Sequence, residues 1–125
     1  MNRNHVEHVA VRVRDLEWHR VFFRDALGMR ETEVQGEAER PRQVWVGGMQ
    51  LTRDSEYAPR PQAEERVWHI GVNVRNIEAA DRDVAAYPGV KRFGDDPGQK
   101  YWFILPEGLV MELVQRQPDG EQPAV

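Results

Sequence analysis

The sequence contains no cysteine, which excludes disulfide bonds, thiolate metal ligands and a cysteine nucleophile. It also lacks any apolar run approaching the roughly 18 residues that a membrane-spanning helix needs. Its first residues, MNRNHVEH, contain no apolar signal core. Positive charge is not in excess, because the formal net charge is -4. We therefore expect a cytoplasmic protein that binds neither nucleic acid nor membrane.

The 125 residues, about the size of one compact domain, contain the same stretch twice. HVAVRVRDLE at positions 8–17 recurs as HIGVNVRNIE at positions 69–78. The identical pairs are His8/His69, Val11/Val72, Val13/Val74, Arg14/Arg75 and Glu17/Glu78. Each copy opens with a histidine on a predicted strand. We therefore interpret the chain as two copies of one supersecondary unit.

Each copy has the pattern of a strand, a helix and three further strands. Asp15 and Asn76 are the expected N-caps of the two helices. Alternation predicts strands at 5–13, 29–34, 43–46 and 49–53 in the first copy and at 67–74, 90–93, 100–105 and 109–115 in the second. The predicted fold is α+β, with two tandem βαβββ modules whose sheets form a concave, partly open trough opposite the helices.

Residues 1–125 are predicted to form a single domain. The first module is expected at about 5–53 and the second at about 67–116, with a charged, proline-containing linker at 54–66 between them. The polar tail, 117–125, is predicted to be frayed. We expect a homodimer, and the linker is long enough for the two modules of one trough to belong to one chain or to exchanged chains.

Alternation places four polar side chains on the sheet face that points away from the helices. His8 and His69 open equivalent strands, and Gln50 and Glu112 are counterparts in the segments GGMQL and GLVMEL. Two neutral imidazoles and one carboxylate suit a divalent ion such as Zn, Ni, Mn, Co or Fe(II), and the amide oxygen of Gln50 can complete the set. The alternative is that both histidines make ordinary hydrogen bonds, but their recurrence in the repeat favours the metal site.

The chain also resembles a known family. HVAVRVRDLEWHRVFFRDALGM and LPEGLVMELVQ are similar to the opening and closing patterns of the vicinal oxygen chelate superfamily, which includes glyoxalase I, methylmalonyl-CoA epimerase, extradiol dioxygenases and the fosfomycin and bleomycin resistance proteins. The resemblance implies paired βαβββ modules and metal ligands at His8, Gln50, His69 and Glu112. It further implies that the metal stabilises an enediolate on two neighbouring substrate oxygens while Glu112, as the catalytic base, moves a proton.

A second group of residues on the predicted trough is expected to bind the small-molecule substrate. These residues are Arg12, Asn73, Trp45 and Trp102. The arginine can hold an anionic group or can be a solvated charge at a strand edge. The two tryptophans, on matching strands, can stack a substrate ring or can pack in the core. Trp18 and Trp68 are assigned to packing.

This sequence lacks several residues that individual family members use, which narrows the range of activities that we expect. The extra catalytic histidine of extradiol dioxygenases has no evident counterpart, because His5 precedes the first strand and His19 is expected on the solvent side of the first helix. Gln50 cannot take a proton, which disfavours a two-base exchange of the epimerase type. The basic, serine-rich segment of the fosfomycin enzymes is not visible.

We therefore predict a metal-dependent, glyoxalase-like lyase or isomerase that acts on a small substrate with neighbouring oxygens. One alternative is a bleomycin-resistance-like protein that sequesters a small molecule without turnover. Others are a dioxygenase or thiol transferase of the same superfamily, and a regulatory or assembly subunit whose site has decayed.

Overall fold

A computed structural model describes residues 3–116, which form two compact units that divide between Tyr57 and Ala58. The tail predicted to be frayed lies outside the described residues. Within the described range, no helix is long and apolar enough to cross a membrane. The two units are called the first and the second unit, and each is described by itself.

The first unit has the predicted strand, helix and three strands. These are β1 (Val9–Val13), α1 (Leu16–Asp25), β2 (Glu31–Gly36), β3 (Pro41–Val46) and β4 (Met49–Arg53). The strand order in the sheet is β1-β4-β3-β2. β1 runs parallel to β4, whereas the other neighbours are antiparallel.

The second unit repeats this arrangement. Its elements are β5 (Ile70–Val74), α2 (Ile77–Ala85), β6 (Lys91–Arg92), β7 (Trp102–Ile104) and β8 (Val110–Gln115), with 3-10 turns at Gln62–Glu64 and Pro97–Gln99. The strand order is β5-β8-β7-β6, and β5 again runs parallel to the strand beside it. The prediction of an α+β fold with two βαβββ modules is therefore confirmed.

Both helices begin directly after the predicted N-cap residues. The side chain of Asp15 accepts a hydrogen bond of 3.0 Å from the backbone N–H of Trp18. Asn76 accepts one of the same length from the N–H of Ala79. After α1, Gly28 has a φ of 65°, the left-handed conformation in which glycine commonly ends a helix.

The strands that open the two units are shorter than predicted. β1 begins at Val9, which pairs with Met49, the first residue of β4. β5 begins at Ile70, which pairs with Met111 near the start of β8. Because a strand is bounded by the length of its partner, alternation alone overestimates it. As a result, His8 and His69 lie one residue before their strands and not within them.

The helix α1 buries a histidine that was expected to face solvent. His19 is 1% exposed, and its Nδ1 donates a hydrogen bond of 2.7 Å to the carbonyl oxygen of Asp15. The prediction for this residue was wrong because His19 lies three residues after Leu16 and four before Phe23, which places it on the apolar stripe of the helix. Both of those neighbours are buried.

Candidate functional site

Glu112 and His69 meet on the second sheet. Glu112 lies on β8 between the buried residues Met111 and Leu113, so alternation turns its side chain to the opposite face, where it is 35% exposed. In the parallel register it lies beside Gly71, two residues after His69. Nε2 of His69 is 3.5 Å from Oε1 of Glu112. This distance exceeds that of a well-formed N–H···O hydrogen bond.

The separation of these two atoms suits a shared cation. Two ligand atoms that each lie about 2.1 Å from one tetrahedral metal ion are about 3.4 Å apart. The imidazole of His69 and the carboxylate of Glu112 are nitrogen and oxygen donors of the type that divalent transition metals bind. The pair therefore fits two positions of a metal site.

Within the described residues, the other ring nitrogen of His69 lacks a hydrogen-bond acceptor. When Nε2 binds a metal, the proton is on Nδ1, and a metal-bound histidine usually donates this N–H to an acceptor. Here Nδ1 is buried and has no hydrogen-bond partner among residues 3–116. No protein group of the described chain thus fixes the tautomer that metal binding requires.

The first unit holds the other two predicted ligands. Nδ1 of His8 is 2.9 Å from Oε1 of its neighbour Glu7, and both side chains are exposed, at 39% and 77%. Gln50 is half-buried on β4, beside Ala10 of β1 and opposite Trp45 of β3. Glu7 is not among the predicted site residues, although the sequence places this carboxylate next to the candidate ligand His8.

The structure thus brings together His69 and Glu112 of the four predicted ligands. Across residues 3–116, no group of three or more histidine, aspartate or glutamate side chains is placed to hold a metal ion. The four-residue metal set stays a prediction.

An aromatic cluster lies against the His69–Glu112 pair. Trp102 is opposite Glu112 in the register of β7 and β8, and it is 8% exposed. Its ring centroid lies 4.2 Å from that of His69 and 6.4 Å from that of Phe93. The indole Nε1 is buried and has no hydrogen-bond partner in the described part of the chain. Trp102 therefore packs as a core residue and also covers one side of the candidate site.

Trp68 was assigned to packing, but the structure leaves it 53% exposed. Its ring meets that of His69 edge-on, with centroids 4.9 Å apart, and lies 5.2 Å from that of Trp102. A signal for this exposure exists in the repeat, because Trp68 precedes His69 as Glu7 precedes His8. The repeat thus aligns this tryptophan with a charged position.

The remaining predicted residues are spread over both units. The Arg12 side chain is 76% exposed, with its Nε 3.9 Å from a carboxylate oxygen of Asp54. Asn73 is exposed on β5 and pairs with Val114. Trp45 is half-buried. The substrate-binding roles of these residues stay a prediction.

The chain belongs to the glyoxalase/bleomycin resistance protein/dioxygenase superfamily, whose model matches residues 5–120. This result agrees with the strand order and the paired modules described above. A search of curated protein sequences finds no match. The family contains enzymes and binding proteins, so membership alone does not fix the activity.

Solved structures with a similar fold come from proteins of different kinds. The trypanothione-dependent glyoxalase I of Leishmania major is 20% identical with a TM-score of 0.69, over 90% of this chain and 87% of its own. The fosfomycin resistance protein FosX from Listeria monocytogenes is 12% identical with a TM-score of 0.65, over 95% and 98%. TnmS3, an antibiotic-binding protein from Streptomyces sp. CB03234, is 18% identical with a TM-score of 0.59, over 94% and 99%. These likenesses establish the fold.

Proposed function

We propose that this protein is a metal-dependent, glyoxalase-like lyase or isomerase that acts on a small substrate with two neighbouring oxygens. The observation that carries the proposal is the 3.5 Å separation of His69 Nε2 and Glu112 Oε1 on the second sheet. Two donor atoms at this spacing can bind one divalent ion. His8 and Gln50, at the equivalent places of the first unit, are the proposed remaining ligands, from this chain or from a second copy.

Each residue has a distinct proposed role. His69 holds the ion, and Glu112 both holds it and accepts the proton removed from the substrate carbon. A divalent ion bound there would supply positive charge beside the substrate oxygens as they become negative. Arg12 and Asn73 are proposed to hold polar groups of the substrate, while the half-buried Trp45 and the buried Trp102 are proposed to bound its apolar part.

Metal binding tests the ligand assignment. Untagged protein would be dialysed against Zn(II), Mn(II), Ni(II), Co(II) or Fe(II) and its metal content measured by elemental analysis. Changes to outer-shell partners alone cost roughly 10–100-fold in affinity, so we expect Glu112→Gln to lose at least about tenfold. His5→Ala, which changes an exposed histidine before β1, is the matched control. Equal metal binding by the wild type and Glu112→Gln would contradict the proposal.

Proton exchange tests the reaction class. Metal-loaded protein would be incubated in D₂O with the hemithioacetal of methylglyoxal or with a simple α-hydroxyketone, and loss of the carbon-bound proton would be followed by NMR. The wild type is expected to exchange this proton, and Glu112→Gln is expected to be inactive. Exchange that persists in Glu112→Gln would remove Glu112 as the base.

Sequestration of a small molecule without turnover is the second candidate. One observation favours it: the exposed ring of Trp68 beside the aromatic cluster. The fold likeness to the antibiotic-binding protein TnmS3 is compatible with this role. Ligand binding that is unchanged by a chelator, together with no proton exchange, would favour sequestration over catalysis.

A further inference from the structure

The exposure of Trp68 is unusual within this protein. Among residues 3–116, every other phenylalanine, tyrosine and tryptophan is buried or half-buried. Leaving a tryptophan this exposed forgoes apolar burial of the kind that stabilises a fold. Glu7, the residue that corresponds to Trp68 in the repeat, has a side chain that is 77% exposed. The position therefore does not need an aromatic ring to form the fold.

The ring of Trp68 is nevertheless braced. The ring contacts His69 edge-on and contacts Trp102 at a tilt. The residue still leaves 53% of its surface exposed. A braced ring with an open surface can stack with a planar ligand at little entropic cost, because the ring is already positioned.

We propose that Trp68 is a stacking platform through which the second unit selects planar aromatic molecules. This inference deepens the proposed function by naming the substrate class, and it rests on that function insofar as the bound molecule is the substrate. The ring preference itself depends on Trp68 alone. The platform and the proposed function can therefore fail separately.

A pair of probes with the same carbon frame, one aromatic and one saturated, tests the platform. Binding of 2-naphthol, a phenol, and of trans-decahydro-2-naphthol, the corresponding saturated alcohol, would be measured by calorimetry. Because the two hydroxyl groups differ in donor strength, the change in preference between the wild type and Trp68→Ala is the part that reports on the ring. Aromatic stacking of this kind typically changes affinity by roughly tenfold. We expect the wild type to prefer 2-naphthol by about that factor, Trp68→Ala to lose the preference, and Trp68→Phe to keep most of it.

Trp18→Phe is the matched control, because Trp18 lies in the first unit and stacks on Phe22 with centroids 5.2 Å apart. It is expected to leave the ring preference unchanged. Equal binding of the two probes by the wild type, or an unchanged preference in Trp68→Ala, would overturn the platform. Circular dichroism would verify that Trp68→Ala is folded, and its exposed position predicts a small change in melting temperature.

Metal content separates this inference from the proposed function. Trp68→Ala is expected to bind metal like the wild type, since its side chain offers no ligand atom. If the wild type binds no metal but prefers 2-naphthol, the proposed metal chemistry fails and the platform stands. If metal is bound and the ring preference is absent, the platform fails and the metal site stands.

Discussion

In both units an ion pair joins the helix to the sheet at equivalent positions, but the positive and negative residues are exchanged. In the first unit, Nε and Nη2 of Arg20 on α1 donate bonds of 2.9 and 2.8 Å to Glu31 on β2. In the second, Nη1 and Nη2 of Arg92 on β6 donate bonds of 2.8 and 2.9 Å to Asp81 on α2. The repeat aligns Arg20 with Asp81 and Glu31 with Arg92. The position of the ion pair is thus retained, while its polarity is reversed.

The candidate site shows a similar difference in chemical identity at equivalent positions. Glu112 occupies on β8, opposite Trp102, the place that Gln50 occupies on β4 opposite Trp45. The first unit has its carboxylate at Glu7 instead, in contact with an exposed histidine. The repeat therefore keeps places in the fold but changes the groups that fill them. Only in the second unit does a carboxylate, that of Glu112, lie opposite a tryptophan that packs on the candidate histidine.

The largest expected effect concerns the core, where the two units place their aromatic residues differently. Phe22 and Phe23 of α1 fill the first core, whereas in the second unit α2 buries Val84 and the strand β7 supplies Phe103. We expect Phe103→Ala to destabilise the protein by about 3–5 kcal/mol, because a large cavity is left in a packed interior. Urea unfolding would measure it. Phe93→Ala, at a half-buried position, is the control, and an equal loss there would contradict the assignment of Phe103 to the core.

The reversed ion pair predicts the next largest effect. Arg20→Asp and Glu31→Arg would each place like charges together at side chains that are 17% and 22% exposed, and each is expected to cost about 1–2 kcal/mol. The double variant recreates the polarity of the second unit and should recover part of the loss. The recovery is incomplete because Glu17, 3.6 Å from Nη1 of Arg20, then faces a second carboxylate. In the second unit the same exchange should change stability by less, since Arg92 is 53% exposed and screened by solvent. A thermal-melting double-mutant cycle without coupling would contradict this equivalence.

The same pair predicts a pH dependence in the acid range. The hydrogen bond from Arg20 holds the pKa of Glu31 below its usual range, against the desolvation that raises it. The stability from the pair is therefore complete above the ordinary pKa of a glutamate and is lost as pH falls through the lowered folded-state pKa. Glu31→Gln should cost about 1 kcal/mol at neutral pH and progressively less in acid. A cost independent of pH would show that ionisation of Glu31 does not matter.

The fold could be predicted from the sequence because its signals are local and are repeated. The caps at Asp15 and Asn76 need only the next three residues, and the strand Met49–Arg53 was predicted with its observed ends because Gly47-Gly48 marks its start. The starts of β1 and β5 could not be predicted in the same way. They depend on where the partner strand begins, which alternation within one segment does not contain.

The candidate site was predictable only in part for a related reason. Alternation gives Glu112 the face opposite the buried Met111 and Leu113, and the repeat selects His69, but the ligand roles of both residues stay a prediction. The burial of His19 could have been found from its spacing to Leu16 and Phe23. The exposure of Trp68 runs against the general tendency of tryptophan to be buried. It depends on contacts with neighbouring rings, and its alignment with Glu7 was the only available signal.

The smallest expected effect tests whether the first unit can acquire the chemistry of the second. Gln50→Glu places a carboxylate opposite Trp45, as Glu112 lies opposite Trp102. If Gln50 is a ligand, metal affinity should rise about threefold, because an anionic oxygen is a stronger donor than a neutral amide. The stability of the fold should change little, because the position is half-exposed. Thr52→Glu adds the same charge two residues along the same strand face, so an equal rise in both variants would mean that charge attraction, and not ligation, raises the affinity.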